Sequence, residues 1–309
     1  FKQKTAYEIT TRLVASEMCI RDSMYSVIIG AVLNIVLDPV FIFALHMGVA
    51  GAAVATVLSQ MASCAFVLSF LFGKKVPVKI SFGGYDRKLI QRILLVGFTP
   101  FIIIAVDNVM IISMNSVLQT YGGPGEGDML ITCATIVQSF MLVITMPLGG
   151  ITGGTQTILA FNYGAGQPDR VKKAQRFIFL LSAGYTTILF ILAQTAGHIF
   201  VRLFTSDPAL IAEAAKTIKI YTLAVIPLSI QYVIVDGFTG LGKVQLSLPL
   251  SFFRKLVYFL PLFLLPRFFG ARATFYAEPI SDIIAPVVSI FIYAVAMKRI
   301  LKKPVIPNF

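Results

Sequence analysis

The amino-acid sequence predicts an all-α polytopic membrane helix bundle, and two observations carry that prediction. Of the 309 residues, 57% are hydrophobic and only 13% are charged, with a mean hydropathy of +0.85, whereas about a quarter of the residues of a soluble domain are charged. The apolar residues are also concentrated in blocks of about 20, the length with which a helix crosses a hydrocarbon core. One soluble core cannot bury so many apolar blocks, so lipid must solvate most of them.

Residues 1–23 do not share this pattern. They are polar, without helical periodicity and without the apolar core of a signal peptide. The run from Leu13 to Ser23 resembles translated sequencing-adapter sequence. We interpret residues 1–23 as a non-native segment, with an ordinary cytoplasmic tail as the alternative.

Eight apolar blocks follow, and each is long enough to span a bilayer. The predicted spans are 24–46, 50–72, 90–120, 129–161, 176–200, 217–240, 246–267 and 273–297. The fourth contains a run from Met146 to Gln156 with four glycines and one proline. Such a run permits a bend and close helix approach inside a membrane. Because bent helices often line the cavities of transporters, Gln156 is a candidate cavity or gating residue.

The basic residues lie between the apolar blocks and are unequally shared between the two sides. One side holds most of them: Lys74, Lys75, Lys79, Arg87, Lys88, Arg92, Arg170, Lys172, Lys173, Arg176, Lys243, Arg254, Lys255, Lys298, Arg299, Lys302 and Lys303. The other side holds Arg202, Lys216, Lys219, Arg267 and Arg272, beside the acidic Glu126 and Asp128. The excess of lysine and arginine predicts that the first side, with the C-terminus, is cytoplasmic in an inner or plasma membrane.

The first two spans match the last two at an offset of 222 residues without gaps. The aligned identities are Pro39 with Pro261, Phe41 with Phe263, Gly48 with Gly270, Ala55 with Ala277 and Ser59 with Ser281. Both hairpins begin on the same side, which indicates a parallel repeat about an axis along the membrane normal. Because four spans precede the second hairpin, we expect four more before the first, giving twelve helices in two lobes of six. The predicted domains are the last two helices of an N-lobe at 24–73, a cytoplasmic linker at 74–89, a complete C-lobe at 90–300 and a tail at 301–309.

A polar trio in the first hairpin is the sharpest candidate site. Asn34 and Asp38 are four residues apart, so they share one helical face. Asp38 lies nine residues before Met47 in the turn and Thr56 nine residues after it, which places both at one depth, roughly 14 Å from the turn at 1.5 Å per residue. Their oxygens suit Na⁺, or a proton held on a desolvated carboxylate. Pro39 should disturb the adjoining helix and free a carbonyl; an interhelical packing cluster is the alternative.

Other acids inside predicted spans are candidates because charge in a membrane is costly. We predict that Asp107, at the centre of the third span, faces a cavity. Asp236 can reach Lys243, as an ion pair or as a functional acid. Glu278 and Asp282 share one face of the last span, and pairing with Arg254 and Lys255 on the preceding span would neutralise them in a structural or gating role.

Several function classes are not supported by the sequence. The net charge is +12, but the basic residues form no aromatic-interleaved patch, so we expect no nucleic-acid partner. The sequence holds no hydrolase, zinc-protease or phosphate-loop motif, which argues against an enzyme and against a cofactor. Cys19, Cys64 and Cys133 lack metal-ligand spacing, so neither a disulfide nor a zinc site is expected.

Several spaced motifs resemble the multidrug and toxin extrusion (MATE) family. They are Leu33–Phe43 and Gly48–Thr56, similar to the fifth and sixth helices of bacterial members; Pro147–Ile151, Gly154–Gln156 and Phe161–Ala165, similar to the eighth; and Phe238–Lys243 and Ala277–Asp282, similar to the tenth and twelfth. The resemblance covers residues 24 to about 300. It implies a twelve-helix, two-lobe, V-shaped exporter that exchanges H⁺ or Na⁺ for organic cations.

The resemblance also implies site residues. A first-lobe cation site in some members uses an Asn and an Asp on the fifth helix and a Thr on the sixth, which correspond to Asn34, Asp38 and Thr56. The same site uses an Asp on the first helix, and this chain contains no such span. Asp107 lies near the cation-site acid of the seventh helix, and Gln231 or Ile230 occupies the corresponding place on the tenth.

The sequence therefore predicts a monomeric secondary exporter that couples H⁺ or Na⁺ influx to efflux of small cationic molecules. The candidate cation-binding residues are Asn34, Asp38, Thr56 and Asp107, and the candidate cavity or gating residues are Gln156, Gln231, Glu278 and Asp282. A lipid or lipid-linked oligosaccharide flippase with the same architecture is an alternative, although such a protein usually needs cations in its cavity. An inactive fragment is the other.

Overall fold

A computed structural model describes residues 24–72 and 86–301 of the chain. Residues 1–23, most of the expected linker and the end of the tail lie outside the described residues, so the predictions for those segments stay predictions. The described residues fall into two compact units, up to Ile90 and from Gln91 onward.

The first unit is a hairpin of two helices, α1 (Met24–Ala44) and α2 (Gly48–Leu71). Pro39 cannot donate a backbone hydrogen bond, and after it α1 widens into a π-helical turn, Val40–Ala44, in which the Leu45 amide donates to the Val40 carbonyl at 2.9 Å. The predicted disturbance of the helix next to Asp38 is thereby confirmed. The turn to α2 places His46 and Gly48 at φ +52° and +57°.

Small residues let α1 and α2 approach closely. A methyl group on Gly30 would lie 2.4 Å from the Ser63 Oγ, and one on Gly51 would lie 2.7 Å from the Phe41 carbonyl oxygen. The Ser63 hydroxyl donates to the Ser26 carbonyl across the same seam. Glycine and serine at these positions therefore supply the close backbone packing that holds helix pairs together in lipid.

The second unit contains eight α-helices and one 3-10 helix within the described residues. They are α3 (Arg87–Gly122, which begins at the end of the first unit), α4 (Glu126–Gly154), α5 (Gln156–Gly164), α6 (Pro168–Val201), α7 (Pro208–Tyr221), α8 (Val225–Gly240), α9 (Val244–Phe269), the 3-10 helix Ala271–Tyr276 and α10 (Ala277–Ile300). Seven described helices have the length and hydropathy of a membrane span, and the bent pair α7 and α8 makes an eighth. The all-α prediction with eight spans is confirmed.

Two predicted continuous spans are interrupted in the structure, the first by a single turn residue and the second by a bend. The span at 129–161 divides at Thr155 into α4 and α5, directly after Gly153 and Gly154. The span at 217–240 becomes the C-terminal part of α7 and all of α8, whose axes differ by 49°. Pro227 lies in the first turn of α8 and has no N–H for the Leu223 carbonyl, so the helix cannot run straight through 222–224.

Helix α8 lies at the centre of the second unit, packed against α4, α5, α6, α9 and α10. One apolar cluster surrounds its start, where Leu228 packs with residues that include Phe275 and Leu262. A second surrounds its end, around Phe238 and Leu250. Gly237 on α8 accommodates the buried Gln175 of α6, whose side-chain amide donates to the Val233 carbonyl at 2.9 Å. Between the two clusters, α8 presents its polar residues to the cavity described below.

An ion-pair group joins three elements at one end of the second unit. The Arg272 guanidinium lies 2.8 Å from a Glu213 carboxylate oxygen and 3.3 Å from one of Glu126. These residues come from the 3-10 helix, α7 and the start of α4. The charge pattern of the sequence had assigned Arg272 and Glu126 to the same side, and the contact agrees with that assignment.

Candidate functional site

The predicted trio of the first unit is assembled in the structure. The Asn34 Nδ2 donates to the Asp38 carboxylate at 3.2 Å and lies 3.4 Å from the Thr56 hydroxyl oxygen. The Thr56 hydroxyl in turn donates to the Ala52 carbonyl at 2.9 Å. One amide therefore connects a carboxylate on α1 with a hydroxyl on α2.

The orientation of the Asn34 amide decides what the trio can bind. Its NH₂ group points toward Asp38 and Thr56, so the site is held by hydrogen bonds within the protein. A cation needs oxygen ligands, which the carboxylate and the hydroxyl supply at once. A half-turn of the amide would replace its NH₂ group with its carbonyl oxygen and complete a set of three oxygens on two helices.

The second unit contains a cavity of about 710 Å³ between α3, α8 and α9. Charged groups of both signs line it, namely Asp107, Asp236, Arg254 and Lys255, together with polar and apolar side chains that include Gln231, Tyr232, Val235 and Leu248. An adjoining chamber of about 370 Å³ shares Asp107, Tyr232 and Arg254 with it. That chamber is lined by Glu278, by three methionines and by further tyrosines. The prediction that Asp107 faces a cavity is confirmed.

Arg254 on α9 pairs with both acids of α10. Its guanidinium lies 3.0 Å from an Asp282 oxygen and 3.2 Å from a Glu278 oxygen. The Asp282 side chain is 1% exposed, so it lies behind Arg254 and away from the cavity wall, whereas Glu278 reaches the adjoining chamber. The predicted neutralisation of these two acids by α9 is thus formed by Arg254.

Lys255 does not take part in that pairing, contrary to our expectation. Its ammonium lies 2.5 Å from an Asp107 oxygen and donates to the Ile103 carbonyl at 2.8 Å, both on α3. Consecutive helical residues point about 100° apart. Arg254 and Lys255 therefore cannot both face α10, and Lys255 faces α3 instead.

Asp236 is also placed differently from the ion pair that we considered. Its carboxylate accepts a hydrogen bond of 2.5 Å from the Thr152 hydroxyl on α4, and the Gln156 side chain on α5 lies beside it. Lys243 instead lies 5.7 Å from the centre of the Tyr163 ring. Among the described residues, Asp236 has neutral donors and no cation within ion-pair distance, although it faces the cavity.

The two candidate glutamines connect the helices around the cavity. Gln231 is 3% exposed; its NH₂ group donates to the Leu250 carbonyl at 3.2 Å, and its oxygen accepts from the Ser289 hydroxyl. It thus ties α8 to α9 and α10. Gln156 at the start of α5 lies beside Asp236 and packs its backbone against Gly240. Sequence reasoning found both residues but not their partners, because the partners lie far away in the chain.

Comparison with known proteins identifies the family. The family model described as MatE matches residues 104–264, which is just over half of the chain. The chain belongs to the MatE family.

Curated relatives of this MatE chain include multidrug export proteins. The Multidrug export protein MepA of Staphylococcus haemolyticus is 23% identical over 272 residues, covering 87% of this chain and 59% of that protein. The MepA of Staphylococcus saprophyticus is 21% identical over 280 residues, covering 90% and 61%. The chain therefore spans about 60% of the length of the curated relatives it matches.

Solved structures with a similar fold include MATE transporters in two conformations. An outward-facing multidrug resistance MATE family transporter matches 91% of this chain and 63% of its own, with a TM-score of 0.78 and 22% identity. An inward-facing one matches 91% and 65%, with a TM-score of 0.76 and 21% identity. A transporter from Pyrococcus furiosus, described as having a binding pocket of reverse polarity, matches with a TM-score of 0.78 and 23% identity. These matches agree with the MatE assignment and show the fold.

Proposed function

We propose that this MatE chain is part of a secondary exporter in which H⁺ or Na⁺ entry drives the efflux of lipophilic organic cations. The family is that of multidrug efflux transporters, and the chain is a multi-pass membrane protein. Its coupling ion and its substrate class are the proposed part. The observation that carries the proposal is the convergence of Asn34, Asp38 and Thr56 on two helices inside the first unit.

The trio is proposed as the coupling site. A carboxylate inside a span is costly unless it is neutralised, and among the described residues Asp38 has the Asn34 amide as its hydrogen-bond donor and no cation within ion-pair distance. A bound H⁺ or Na⁺ would supply the missing charge. Its arrival would break the contacts of Asn34 with Asp38 and Thr56, and so change how α1 and α2 are held together. That differential contact is what allows an ion to shift a conformational equilibrium.

The cavity of the second unit is proposed as a drug-contacting surface. Arg254 and Lys255 are neutralised by the carboxylates of Glu278, Asp282 and Asp107. Among the described residues, the Asp236 carboxylate accepts from the neutral Thr152 hydroxyl and has no cation within ion-pair distance, so it is available to a ligand amine. Apolar and tyrosine side chains on the same walls would contact the rest of the ligand without fixing its orientation, which suits broad specificity.

A flippase is the alternative that the cavity allows. Arg254 and Lys255 do line it, as a pyrophosphate-binding cavity requires. Both are paired with carboxylates, so neither offers an uncompensated positive charge to an anionic ligand. This pairing favours the exporter over the flippase.

We further propose that the cytoplasmic side is the one that holds Arg170, Lys172 and Lys298.

Gradient-driven efflux tests the proposal. The complete gene product is reconstituted in proteoliposomes, and the efflux of a fluorescent lipophilic cation is followed under imposed Na⁺ or H⁺ gradients. We expect the gradient to accelerate efflux, and Asp38→Asn to abolish the acceleration without changing the amount of folded protein.

Asp169→Asn is the matched control, because Asp169 is exposed near the start of α6 and pairs only with Lys172 within the described part of the chain. It should export like the wild type. Coupled efflux that persists undiminished in Asp38→Asn would show that the trio is not the coupling site. Transport of a lipid-linked phosphate instead of the cation would favour the flippase.

A further inference from the structure

The side chain of Lys255 is buried to an unusual degree for an ammonium. It is 5% exposed, and its Nζ contacts an Asp107 carboxylate oxygen at 2.5 Å and the Ile103 carbonyl oxygen at 2.8 Å. An ammonium taken out of water needs both a counter-charge and acceptors for its protons. Asp107 supplies the charge and Ile103 an acceptor, both from α3, so the two helices α3 and α9 are joined by this one side chain.

Asp107 is only partly covered by this contact. Its side chain is 49% exposed and lines the cavity and the adjoining chamber. In the described part of the chain, the other charged groups on those walls are Arg254, Asp236 and Glu278. Arg254 is held by Glu278 and Asp282. Among the described residues, Lys255 is therefore the cation that neutralises Asp107.

We propose that Lys255 is a tethered cation that takes the place of an exchangeable coupling ion at Asp107. An ammonium fixed on a neighbouring helix is present at a high effective concentration, so Na⁺ or H⁺ from solution would have to displace it. Asp107 is then permanently neutralised and does not sense either ion. If the proposed function is correct, ion coupling falls to Asp38 and its partners alone.

Removing the tethered cation should create a new site for a solution ion at Asp107. Replacing Lys255 with methionine keeps the length of the buried stem and removes the charge. The Asp107 carboxylate, now unpaired beside the Ile103 carbonyl, should then bind Na⁺ or take up a proton. If water in the cavity hydrated the Asp107 carboxylate sufficiently, Lys255→Met would leave it ionised and would create no new site for a solution ion.

The test counts ions on the purified gene product. Bound ²²Na⁺ is measured at equilibrium, and protonated carboxyl groups are counted by infrared spectroscopy on the same samples. Lys255→Met should gain one bound Na⁺ or one protonated carboxyl group per chain, and Lys255→Met/Asp107→Asn should lose that gain. Lys219→Met, which removes an exposed lysine on α7, should show no gain. Asp107→Asn alone should leave the wild-type count unchanged.

Two results would overturn the proposal. One is a lower number of bound Na⁺ ions or protonated carboxyl groups in Asp107→Asn than in the wild type, since Asp107 would then hold a solution ion beside Lys255. The other is a Lys255→Met protein with no additional Na⁺ or proton; Lys255→Gln takes its place if the methionine variant does not fold. The coupling site is tested separately, because an unchanged count in Asp38→Asn would refute the proposed function and leave the Lys255 comparison intact.

Discussion

The Asn34 amide nitrogen lies 3.4 Å from the Thr56 hydroxyl oxygen, although the two residues are 22 positions apart and on different helices. The contact joins α1 to α2 one turn from the Asp38 carboxylate. The Thr56 hydroxyl therefore has a role in the proposed coupling site that is separate from the charge of Asp38.

Replacing Thr56 tests that role. Thr56→Val keeps the shape of the side chain and removes an oxygen ligand, so the ion concentration that half-saturates coupled efflux should rise by about tenfold, or ~1.4 kcal/mol. Thr56→Ser keeps the oxygen and should behave like the wild type. The measurement is the dependence of efflux on Na⁺ concentration and on pH. Equal behaviour of the valine and serine variants would remove Thr56 from the site.

Breaking the Arg254 group should destabilise the second unit. Arg254→Met leaves the nearly inaccessible Asp282 carboxylate without its partner, and loss of one member of a buried pair costs about 3–5 kcal/mol. We expect a lower thermal unfolding midpoint in detergent. The variant that also carries Glu278→Gln and Asp282→Asn should recover most of the loss, because it has no uncompensated charge. A single variant as stable as the wild type would show that the group is not buried as described.

Gly237 should not tolerate a side chain. A methyl group there would lie 2.4 Å from the Gln175 Nε2, which is already hydrogen-bonded to the Val233 carbonyl and cannot withdraw freely. We expect Gly237→Ala to cost about 1–3 kcal/mol in unfolding free energy, as overpacking does. A methyl group on Gly184 of α6 would meet no atom of the described residues within 4 Å, so Gly184→Ala should be neutral or slightly stabilising. Equal stability of the two variants would contradict the close packing of α6 and α8.

Asp236 should contribute to the binding of cationic drugs but not of neutral ones. Asp236→Asn is isosteric and can still accept the Thr152 hydrogen bond, so it removes only the charge. We expect about tenfold weaker binding, or ~1.4 kcal/mol, for a cationic fluorescent drug and unchanged binding for an uncharged analogue of the same size. Thr152→Val, which keeps the charge, serves as the control. Weakening of both ligands alike would assign Asp236 a purely structural role.

Contacts within one hairpin could be predicted from the sequence, whereas contacts between distant helices could not. Asn34, Asp38 and Thr56 lie at equal distances from one turn, so helix geometry alone brings them together. Lys255 and Asp107 are 148 residues apart, and Thr152 and Asp236 are 84 apart. Which helices are neighbours in a bundle depends on packing, and apolar blocks of equal length do not encode it.

The helix breaks show the same division. The glycine-rich run from Met146 to Gln156 permits a bend, and the structure interrupts the helix at Thr155, although α4 and α5 together still form one candidate span. The sequence analysis missed the bend of 49° between α7 and α8, although Pro227 was a usable signal for it.

The internal repeat is supported locally, because Gly48 and Gly270, which the offset of 222 residues aligns, both have positive φ. The two hairpins differ after these glycines, because α2 begins at Gly48 itself whereas the 3-10 helix Ala271–Tyr276 separates Gly270 from α10. The twelve-helix, two-lobe organisation and the monomeric state stay predictions.

The exchange of ions against drug tests the central claim most directly. Proteoliposomes that contain the complete gene product are loaded with a trapped Na⁺- or pH-sensitive dye, and a lipophilic cation gradient is imposed without any ion gradient. Drug movement in one direction should drive Na⁺ or H⁺ in the other, and Asp38→Asn should abolish the ion movement. Drug flux without accompanying ion flux in the wild type would contradict the claim that this MatE chain belongs to an ion-coupled exporter.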